Sequence, residues 1–398
     1  MTMAAAIGND LTPARVDAAA SRISRVEIIS DLVEAEPIWR RLEGASGFST
    51  PYQRFDLIRA WQTNIGMREG WRPFIVAAYD KDQQPVAVMP LVVRRSRGVT
   101  LASFPGDKHS TFNMPLWRRD VASLVTRDDI VAMLKLIHAQ APEVDVLTLE
   151  RQPASWHGLS NPMRLYGGQP SVNECPLLIM NPADPPAARI SNSFRRRLKT
   201  KERKLAALPG YRYGVATGDA HIRAVLDAFF RIKPQRMAAQ KLPNVFDEPG
   251  AESFVRDACM PQRDGRPAPI DIHVLECDEE MIAMFAGVAD GSRFSMMFNT
   301  YTLSENAKYS PGLILMRNII DHYAERGYTS LDLGIGSDDY KRLFCKDDEP
   351  IFDSYLPLTA KGRVAVAVLS SLGHLKRTVK QTPALKRAAQ AIRQRLPR

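Results

Sequence analysis

The chain has few of the residues that build metal sites and disulfide frameworks. Its 398 residues include four cysteines and seven histidines. The cysteines lie far apart and form no CxxC pair, and the histidines form no HExxH or other paired spacing, so we expect no metal site. The same cysteine usage is typical of a reducing compartment, and a cytoplasmic location is predicted.

Long apolar runs and a secretory leader are also missing. No segment approaches the 18 or so apolar residues that a membrane span needs. The N-terminal stretch MTMAAAIGNDLTPARVDAAASRIS has no basic start followed by an apolar stretch, so it is not typical of a signal peptide. Residues 1–22 are instead predicted to be a disordered leader.

Acidic residues are absent from the C-terminal end. Residues 361–398 carry ten Lys and Arg and no Asp or Glu, so this basic tail holds the whole formal net charge of +10. The balanced body is not a general nucleic-acid binder. Beside the bases, an apolar stripe is predicted at Leu385, Ala388, Ala389, Ile392 and Leu396. Such a segment binds an anionic membrane surface or an acidic partner peripherally, or packs on the protein's own body.

One order of elements is predicted twice along the chain. The first half has the pattern of a strand, two helices, an antiparallel meander, a helix and a strand, at 26–30, 31–43, 53–65, 74–95, 128–140 and 144–150. The second half repeats it at 211–217, 219–231, 250–260, 270–301, 311–327 and 330–334. This alternation predicts α/β units in which helices cover sheets. We place the two units at 23–170 and 171–360.

A glycine pair follows the last of these strands, in SLDLGIGSDDYKRLF at 330–344. A dinucleotide-binding loop needs a third glycine where this chain has Asp339, and no Gly-Lys-Ser/Thr follows to make a P-loop. The pair Gly334 and Gly336 therefore indicates a strand end and a sharp turn. No serine stands in a GxSxG motif either, so a hydrolase elbow is excluded.

Three motifs carry a family resemblance: SNSFRRRLKTKERKL (191–205), YSPGLILMRNIIDHYAERG (309–327) and LDLGIGSDDYKRLF (331–344). They resemble the GNAT (Gcn5-related N-acetyltransferase) fold, and more closely the BioF2-like and CelD-type acetyltransferases and the related Fem-type transferases. The resemblance implies two tandem GNAT units with mixed, mostly antiparallel sheets. It also implies acetyl-CoA or another acyl-CoA as cosubstrate and an amine as acceptor.

The resemblance implies a donor site at two places. Ser310, Pro311 and Gly312 open a helix whose positive end would hold the phosphates, and Gly334 and Gly336 would receive the pantetheine arm. The first of these loops departs from the Q/R-x-x-G-x-G/A pattern of acetyl-CoA enzymes, which leaves another acyl-CoA or an aminoacyl-tRNA open as donor. The alternative for Ser310 and Gly312 is a simple helix cap.

The resemblance also implies catalytic and acceptor-binding residues. Asp332 would be the general base, Tyr340 would protonate the departing thiolate, and Lys341 would hold an anionic acceptor. The alternatives are a solvated strand residue for the first and a surface helix for the other two. Asn299 and Tyr301 would line the same cleft, or belong to the core.

The basic helix at 191–205 offers an anion-binding face. Arg195 and Arg196 would bind a phosphate-bearing substrate or a lipid-linked sugar, since a guanidinium matches phosphate geometry. The alternative is a solvated basic helix. In the first unit, Asp128 and Asp129 stand at the corresponding helix start and would repel a pyrophosphate, so we predict one donor site per chain.

The predicted function is therefore transfer of an acyl group to an amine on a sugar, polysaccharide or envelope precursor. Two alternatives stay open. One is a catalytically silent GNAT-fold partner in exopolysaccharide assembly of the cellulose type. The other is a Fem-like transferase that uses aminoacyl-tRNA, whose tRNA binding would depend steeply on salt.

Overall fold

The structure is a computed structural model that describes residues 21–262, 264–336 and 338–382. The first twenty residues of the predicted leader and the apolar stripe predicted at 385–396 lie outside the described residues. Ser21 and Arg22, the last residues of the predicted leader, contact Asp129: its carboxylate accepts a hydrogen bond from the backbone N–H of Arg22 at 2.6 Å.

Within its described residues, the first half of the chain forms ten strands and four α-helices. In chain order they are β1 (Arg25–Ile29), α1 (Leu32–Glu43), β2 (Gly47–Phe48), α2 (Phe55–Trp61), β3 (Arg72–Tyr79), β4 (Pro85–Ser96), β5 (Val99–Ser103), β6 (Leu116–Arg118), α3 (Arg119–Ala122), α4 (Arg127–Gln140), β7 (Val146–Pro153), β8 (Ser155–Trp156), β9 (Leu159–Ser160) and β10 (Gln169–Pro170).

The second half forms eight strands and six helices within the described residues. They are β11 (Pro176–Ile179), α5 (Pro186–Arg189), α6 (Asn192–Leu205), β12 (Arg212–Val215), α7 (Asp219–Ala239), α8 (Ala251–Cys259), β13 (Asp271–Glu276), β14 (Met281–Ala289), β15 (Arg293–Tyr301), α9 (Pro311–Glu325), β16 (Ser330–Asp332), β17 (Asp347–Asp348), β18 (Ile351–Pro357) and α10 (Ala360–Gln381).

Two mixed sheets carry the predicted repeat. The first has the order β1-β3-β4-β5-β7-β18-β10, with β2 and β6 attached beside β4, and the second has the order β12-β13-β14-β15-β16-β11-β17. In each sheet a three-stranded antiparallel meander leads into a helix, and the strand after that helix pairs in parallel with the meander's last strand. The parallel pairs are β5 with β7 and β15 with β16.

One strand crosses from the second half of the chain into the first sheet. Strand β18 lies in the first sheet, between β7 and β10, although it comes from the far end of the second half. The predicted second unit, 171–360, therefore contributes one strand to the first sheet. The two sheets therefore do not correspond to residues 23–170 and 171–360. The sequence could not show this, because no local pattern indicates that β18 pairs with β7.

Helices cover both faces of the second sheet. Val274, Met284 and Ala286 point to the side on which α7 and α8 pack, while Ala283 and Phe285 point to the side of α9 and α6. This alternation follows from the two-residue period of a strand. One face of the sheet therefore adjoins the first half of the chain, and the opposite face is closed by α6 and α9.

Local signals explain where α6 and α9 begin and end. The Ser191 hydroxyl accepts a hydrogen bond from the backbone N–H of Phe194 and caps α6, as N-cap serines do. Pro311 stands in the first turn of α9, where its missing N–H costs nothing. Gly327, with φ of 81°, follows its end, which is a common helix stop.

Helix α10 begins the predicted basic tail and packs on the first sheet. It does so through two glycines: a Cβ at Gly362 would lie 2.0 Å from the backbone oxygen of Asp145, and one at Gly373 would lie 2.3 Å from Gln169. Its outer face is exposed and apolar, at Val364, Val368, Leu372 and Leu375. No helix within the described ranges is both long enough and apolar enough to cross a bilayer.

Candidate active site

A cavity opens where β15 and β16 separate. The two strands pair from Arg293 opposite Ser330 to Ser295 opposite Asp332, and no further. Beyond that point lies a cavity of about 270 Å³. Its lining comes from both halves of the chain and includes His109, Lys233, Phe246, Asn299, Gly334, Tyr340 and Lys341. Because pairing stops at Ser295, the following part of β15 has one edge that β16 does not cover.

The predicted glycine loop forms one wall of this cavity. Gly334 and Gly336 have φ of 71° and 118°, conformations that favour glycine. A Cβ at Gly334 would also lie 3.0 Å from the backbone oxygen of Met296. Lys341 holds the loop in place, because its Nζ donates to the carbonyl oxygens of Gly334 at 3.1 Å and Ile335 at 3.0 Å.

Lys341 therefore has a structural function that the sequence did not reveal. Its side chain is buried, and burial lowers the pKa of Lys341. Two backbone carbonyls already use its ammonium group, so it is poorly placed to hold an anionic acceptor as predicted. Asp338, 3.7 Å away, pairs with the same ammonium group.

Asp332 does not have the environment of a general base, and the assignment made from sequence needs correction. It is fully buried, and Arg293 Nε lies 2.9 Å from one of its oxygens. That oxygen also accepts a short hydrogen bond from Ser295, and the other accepts one from the backbone N–H of Gly334 at 3.0 Å. The alternative, a solvent-exposed strand residue, is wrong as well. Asp332 points away from Leu331 and Leu333, but that side of the strand is also buried, because the other half of the chain covers it.

Arg293 connects the two halves below the cavity. Its Nη1 lies 2.6 Å from Glu349, and its guanidinium carbon stands 4.8 Å and 4.5 Å from the ring centroids of Phe112 and Trp156. Burial disfavours the charged form of Arg293. The carboxylates of Asp332 and Glu349 favour that form more strongly, so the pKa of Arg293 is raised. The group is thus a permanently charged buried link between the two halves.

Lys233 of α7 is the most perturbed amine of the cavity. Burial, reinforced by the nearby charge of Arg236, lowers the pKa of Lys233 to about 8. Its Nζ donates to the backbone oxygen of Asn299 at 3.0 Å. An ammonium group that is close to losing its proton at neutral pH is a frequent feature of catalytic sites.

His109 brings an imidazole to the cavity from the first half of the chain. Its ring packs 6.0 Å from Phe246 and 5.4 Å from Phe254, measured between ring centroids. Burial lowers the pKa of His109 below its ordinary value, so the ring is neutral at pH 7. Its buried Nε2 has no hydrogen-bond partner among the residues that the structure describes. A neutral imidazole with an unused nitrogen can accept a proton.

Tyr340 contributes a hydroxyl group to the same cavity. Burial, with the Asp338 carboxylate adding to it, raises the pKa of Tyr340. The phenol therefore keeps its proton at neutral pH. It can donate a hydrogen bond to a group that gains negative charge, such as a departing thiolate.

The start of α9 has a strained serine with a cationic neighbour. Ser310 has φ of 58°, a left-handed conformation that is uncommon for a residue with a side chain. Its side chain makes no capping hydrogen bond to the helix. Its hydroxyl instead accepts a hydrogen bond from Lys201 Nζ of α6 at 2.7 Å. The simple-cap alternative therefore does not describe Ser310.

Gly312 lies against an aromatic ring. A Cβ there would be 3.5 Å from Tyr301 Cδ1, an ordinary contact, so a small side chain at Gly312 would point toward that ring. The guanidinium carbon of Arg236 stands 3.2 Å from the centroid of the same ring. Lys201, Arg236 and the positive end of α9 thus surround one region.

Arg195 and Arg196 lie away from the cavity. Arg195 is buried and forms a two-pronged ion pair with Asp321, at 2.8 and 2.5 Å. Asp321 therefore engages both terminal nitrogens that were predicted to bind substrate, and only Nε of Arg195 has no hydrogen-bond partner among the described residues. Arg196 is exposed and borders a separate pocket between α6 and α9.

The structure thus gathers part of the predicted set. Four predicted residues line the cavity: Asn299, Gly334, Tyr340 and Lys341. The others lie beside or beyond it: Tyr301, Ser310, Pro311, Gly312, Asp332, Gly336, Arg195 and Arg196. Within the described ranges, no group of three or more His, Cys, Asp or Glu residues could hold a metal ion.

His109 and Lys233 were missed by sequence reasoning. A lone histidine in the loop GDKHSTFN has no partner at a recognisable spacing. Lys233 did carry a signal, since Pro234 follows it inside α7. A proline within a helix removes a backbone hydrogen bond and commonly kinks the helix.

Comparison with known proteins finds a family match in the second half of the chain. Residues 192–342 match the family model of an acetyltransferase (GNAT) domain. The chain contains a GNAT domain. It spans α6 to the glycine loop and includes every predicted site residue. No curated protein matches the chain in sequence.

Solved structures share the fold over most of the chain. FemX covers 83% of this chain and 96% of its own, with a TM-score of 0.54 and 9% identity. The C-terminal domain (DUF2156) of a putative lysylphosphatidylglycerol synthetase from Agrobacterium fabrum covers 86% of this chain and 98% of its own, with a TM-score of 0.50 and 11% identity. At such identities the likeness concerns the fold alone. With the GNAT domain and the repeated sheets, it confirms the predicted fold class of tandem GNAT units.

Proposed function

We propose that this chain transfers an acyl group from an acyl-CoA, such as acetyl-CoA, to an amine. The observation that carries the proposal is the cavity at the separation of β15 and β16, which adjoins the glycine loop of the GNAT domain. A donor arm can lie along the uncovered edge of β15 and against Gly334 and Gly336. The start of α9 supplies the positive end that a pyrophosphate needs.

The donor phosphates would bind at Ser310, Pro311 and Gly312. Support comes from the hydroxyl of Ser310, which already contacts the ammonium of Lys201 instead of capping the helix. A helix end and a lysine together favour an anion more than either alone. Pro311 offers no N–H, so the lysine replaces a donor that the loop lacks.

The proposed chemistry uses His109, Lys233 and Tyr340. His109 takes the proton of the attacking ammonium, the amine nitrogen bonds to the thioester carbonyl carbon, and the C–S bond breaks. The departing thiolate takes the proton of Tyr340, and the Tyr340 phenolate takes the second proton from the nitrogen. The products are then a neutral amide and a free thiol, and His109 releases the first proton to water. The ammonium of Lys233 stabilises the negative oxygen that develops at the carbonyl. His109 thereby takes the role that the sequence assigned to Asp332.

The acceptor is proposed to be an amine on a sugar or on a polysaccharide or envelope precursor. Phe246, Phe254 and Phe298 line the cavity and can pack against the apolar face of a sugar ring. Asn299 and the more distant Tyr301 would contribute to the acceptor side. Lys108 and Thr111 of the first unit also line the cavity.

One donor per chain is proposed, because the start of α4, the corresponding helix of the first unit, is already capped. Asp129 is buried, and its carboxylate caps α4 together with Thr126. It also forms a 3.3 Å ion pair with Arg22. A pyrophosphate at this position would meet a carboxylate whose hydrogen bonds are already made.

The testing experiment combines calorimetry with thiol release. Acetyl-CoA and longer acyl-CoAs are titrated into the full chain, and free CoA is then measured with a panel of amino sugars. Binding of one donor per chain and amine-dependent thiol release support the proposal, and His109→Gln should bind donor but release little thiol. Donor binding without turnover by any amine would favour the silent partner in exopolysaccharide assembly. No donor binding, together with salt-dependent tRNA binding, would favour the aminoacyl-tRNA-dependent reaction.

We also propose a peripheral position at the inner membrane face. Its support is the exposed apolar face of α10, at Val364, Val368, Leu372 and Leu375. The residues from 361 onward carry no acidic side chain, so an anionic lipid surface is electrostatically favoured.

A further inference from the structure

A second pocket lies between α6 and α9, apart from the acyl-transfer cavity. It measures about 520 Å³ and is bordered by Asn192, Arg195, Arg196, Lys199, Arg317 and Asp321, with Pro185, Pro186 and Ala187 at one end. It shares no lining residue with the cavity. It lies on the face of the second sheet opposite to α7 and α8, and nothing in the proposed reaction uses it.

Two buried arginines, Arg195 and Arg317, border the pocket, and a third, Arg189, pairs with the same Asp321. Arg189, Arg195 and Arg317 are 9%, 8% and 4% exposed. Asp321 pairs with both Arg195 and Arg189, at 2.5 and 3.6 Å, and Glu202 pairs with Arg317 at 2.7 Å. With Arg196 and Lys199 at the rim, five cations face two carboxylates.

Several guanidinium donors in this cluster have no acceptor. They are Nε of Arg189, Nε of Arg195, and Nε and Nη1 of Arg317, each without a hydrogen-bond partner among the described residues. Nη1 of Arg189 has only the 3.6 Å ion pair with Asp321. A buried donor left unpaired is costly, and more so when it belongs to a charged group. Such donors are rare unless a ligand or ordered water completes them.

The geometry points to a binding site for a phosphate group in this pocket. Its oxygens would accept from the unused donors of Arg195 and Arg317, while Arg196 and Lys199 would neutralise its charge from the rim. Guanidinium groups match phosphate oxygens in pairs, which favours phosphate over a chloride ion. The site does not depend on the proposed acyl transfer, because the cavity and the start of α9 contribute nothing to it.

The spacing along α9 makes this site separate from the donor phosphates. Arg317 lies five residues after Gly312, and Asp321 lies nine residues after Gly312. At a rise of about 1.5 Å per residue, they stand roughly 8 and 14 Å from Gly312 along the helix axis. On α6, Lys201 contacts Ser310 while Lys199 borders the pocket. One ligand with two separated phosphates could therefore use both places, as could two different ligands.

The test measures phosphate binding directly, without any acyl donor. The full chain is titrated with inorganic phosphate, with adenosine 3′,5′-bisphosphate and with vesicles containing phosphatidic acid, at constant low ionic strength. Binding of inorganic phosphate supports the site itself. Stronger binding of the nucleotide assigns it to a soluble ligand, and stronger binding of the vesicles assigns it to a lipid headgroup.

Matched variants locate the binding on α6. Arg196→Ala and Lys199→Ala remove exposed charges at the rim, so both variants should fold, and each should weaken phosphate binding roughly tenfold. Arg203→Ala removes the same charge from the same helix outside the pocket and should leave the affinity unchanged. Equal losses in all three variants, or no phosphate binding by the wild type at about 10 mM, would overturn the proposal.

Discussion

Replacing Lys233 with methionine should make the protein more stable at neutral pH while removing its activity. The side chain is similar in length, so the packing around α7 is kept. Burial lowers the pKa of Lys233 from 10.5 to about 8. Each unit of pKa shift corresponds to about 1.36 kcal/mol, so keeping this group charged in the folded state at pH 7 costs about 3 kcal/mol.

The net gain is smaller than that figure. Methionine cannot donate to the backbone oxygen of Asn299, and this lost hydrogen bond costs about 1 kcal/mol. We therefore expect Lys233→Met to raise the free energy of unfolding at pH 7 by about 1–2 kcal/mol. A gain in stability with a loss of activity is common when a strained catalytic group is removed.

The sign of the effect depends on pH. Between pH 8 and 10.5, Lys233 is protonated in the unfolded chain but not in the folded protein. The contribution of Lys233 to the free energy of unfolding of the wild type therefore rises with pH. The advantage of Lys233→Met should shrink by about 2 kcal/mol from pH 7 to pH 9.5.

Urea unfolding of both proteins at the two pH values measures this difference. Lys81→Met, at an exposed turn, is the control and should change stability by less than about 0.5 kcal/mol at either pH. A variant that is less stable than wild type at pH 7, by an amount that does not vary with pH, would refute the reasoning.

The other predictions concern the base, the donor site, the buried ion pair and the tail. His109→Gln should lower kcat by about 10²- to 10⁴-fold, and wild-type activity should be lost only below the ordinary histidine pKa of 6.5, because burial lowers the pKa of His109 and only the neutral ring accepts a proton; an unchanged kcat would exclude it as the base. Lys201→Ala should weaken acyl-CoA binding roughly tenfold in calorimetry, and unchanged affinity would place the phosphates elsewhere. Arg293→Met should lower the free energy of unfolding by about 3–5 kcal/mol, since it leaves buried carboxylates unpaired; a loss under 1 kcal/mol in urea would contradict this. Removing residues 383–398 should preserve the thermal midpoint and reduce sedimentation with anionic vesicles, and equal sedimentation would argue against a membrane role for that segment.

Much of the fold could be predicted because its signals are local. The helix 311–327 has a proline at its start, a glycine at its end and an apolar face between them, and α9 occupies Pro311–Glu325. The meanders were evident from alternating apolar residues and from turns such as Asp290-Gly291. Strand β18 was not assigned to the first sheet, because its partner β7 is distant in sequence.

The site was harder to predict because its chemistry depends on contacts between the halves. The sequence shows that Asp332 alternates with Leu331 and Leu333, but not that Arg293 is its partner. It shows a lysine and a histidine at Lys233 and His109, but not their burial, which is what changes their pKa values. The glycine loop was found because its backbone conformations require the residue type itself.

The position of β18 has a consequence for synthesis of the chain. Strand β7 ends at Pro153 and its partner begins at Ile351, so about 200 residues must be translated between them. At about 5–20 residues per second this takes roughly 10–40 s. Throughout that time the first sheet has an open edge beside β7, which is where unwanted pairing with other chains begins. The nascent first half is therefore a natural client for a chaperone, and a ribosome that stalls before residue 351 would leave a product unable to complete its own sheet.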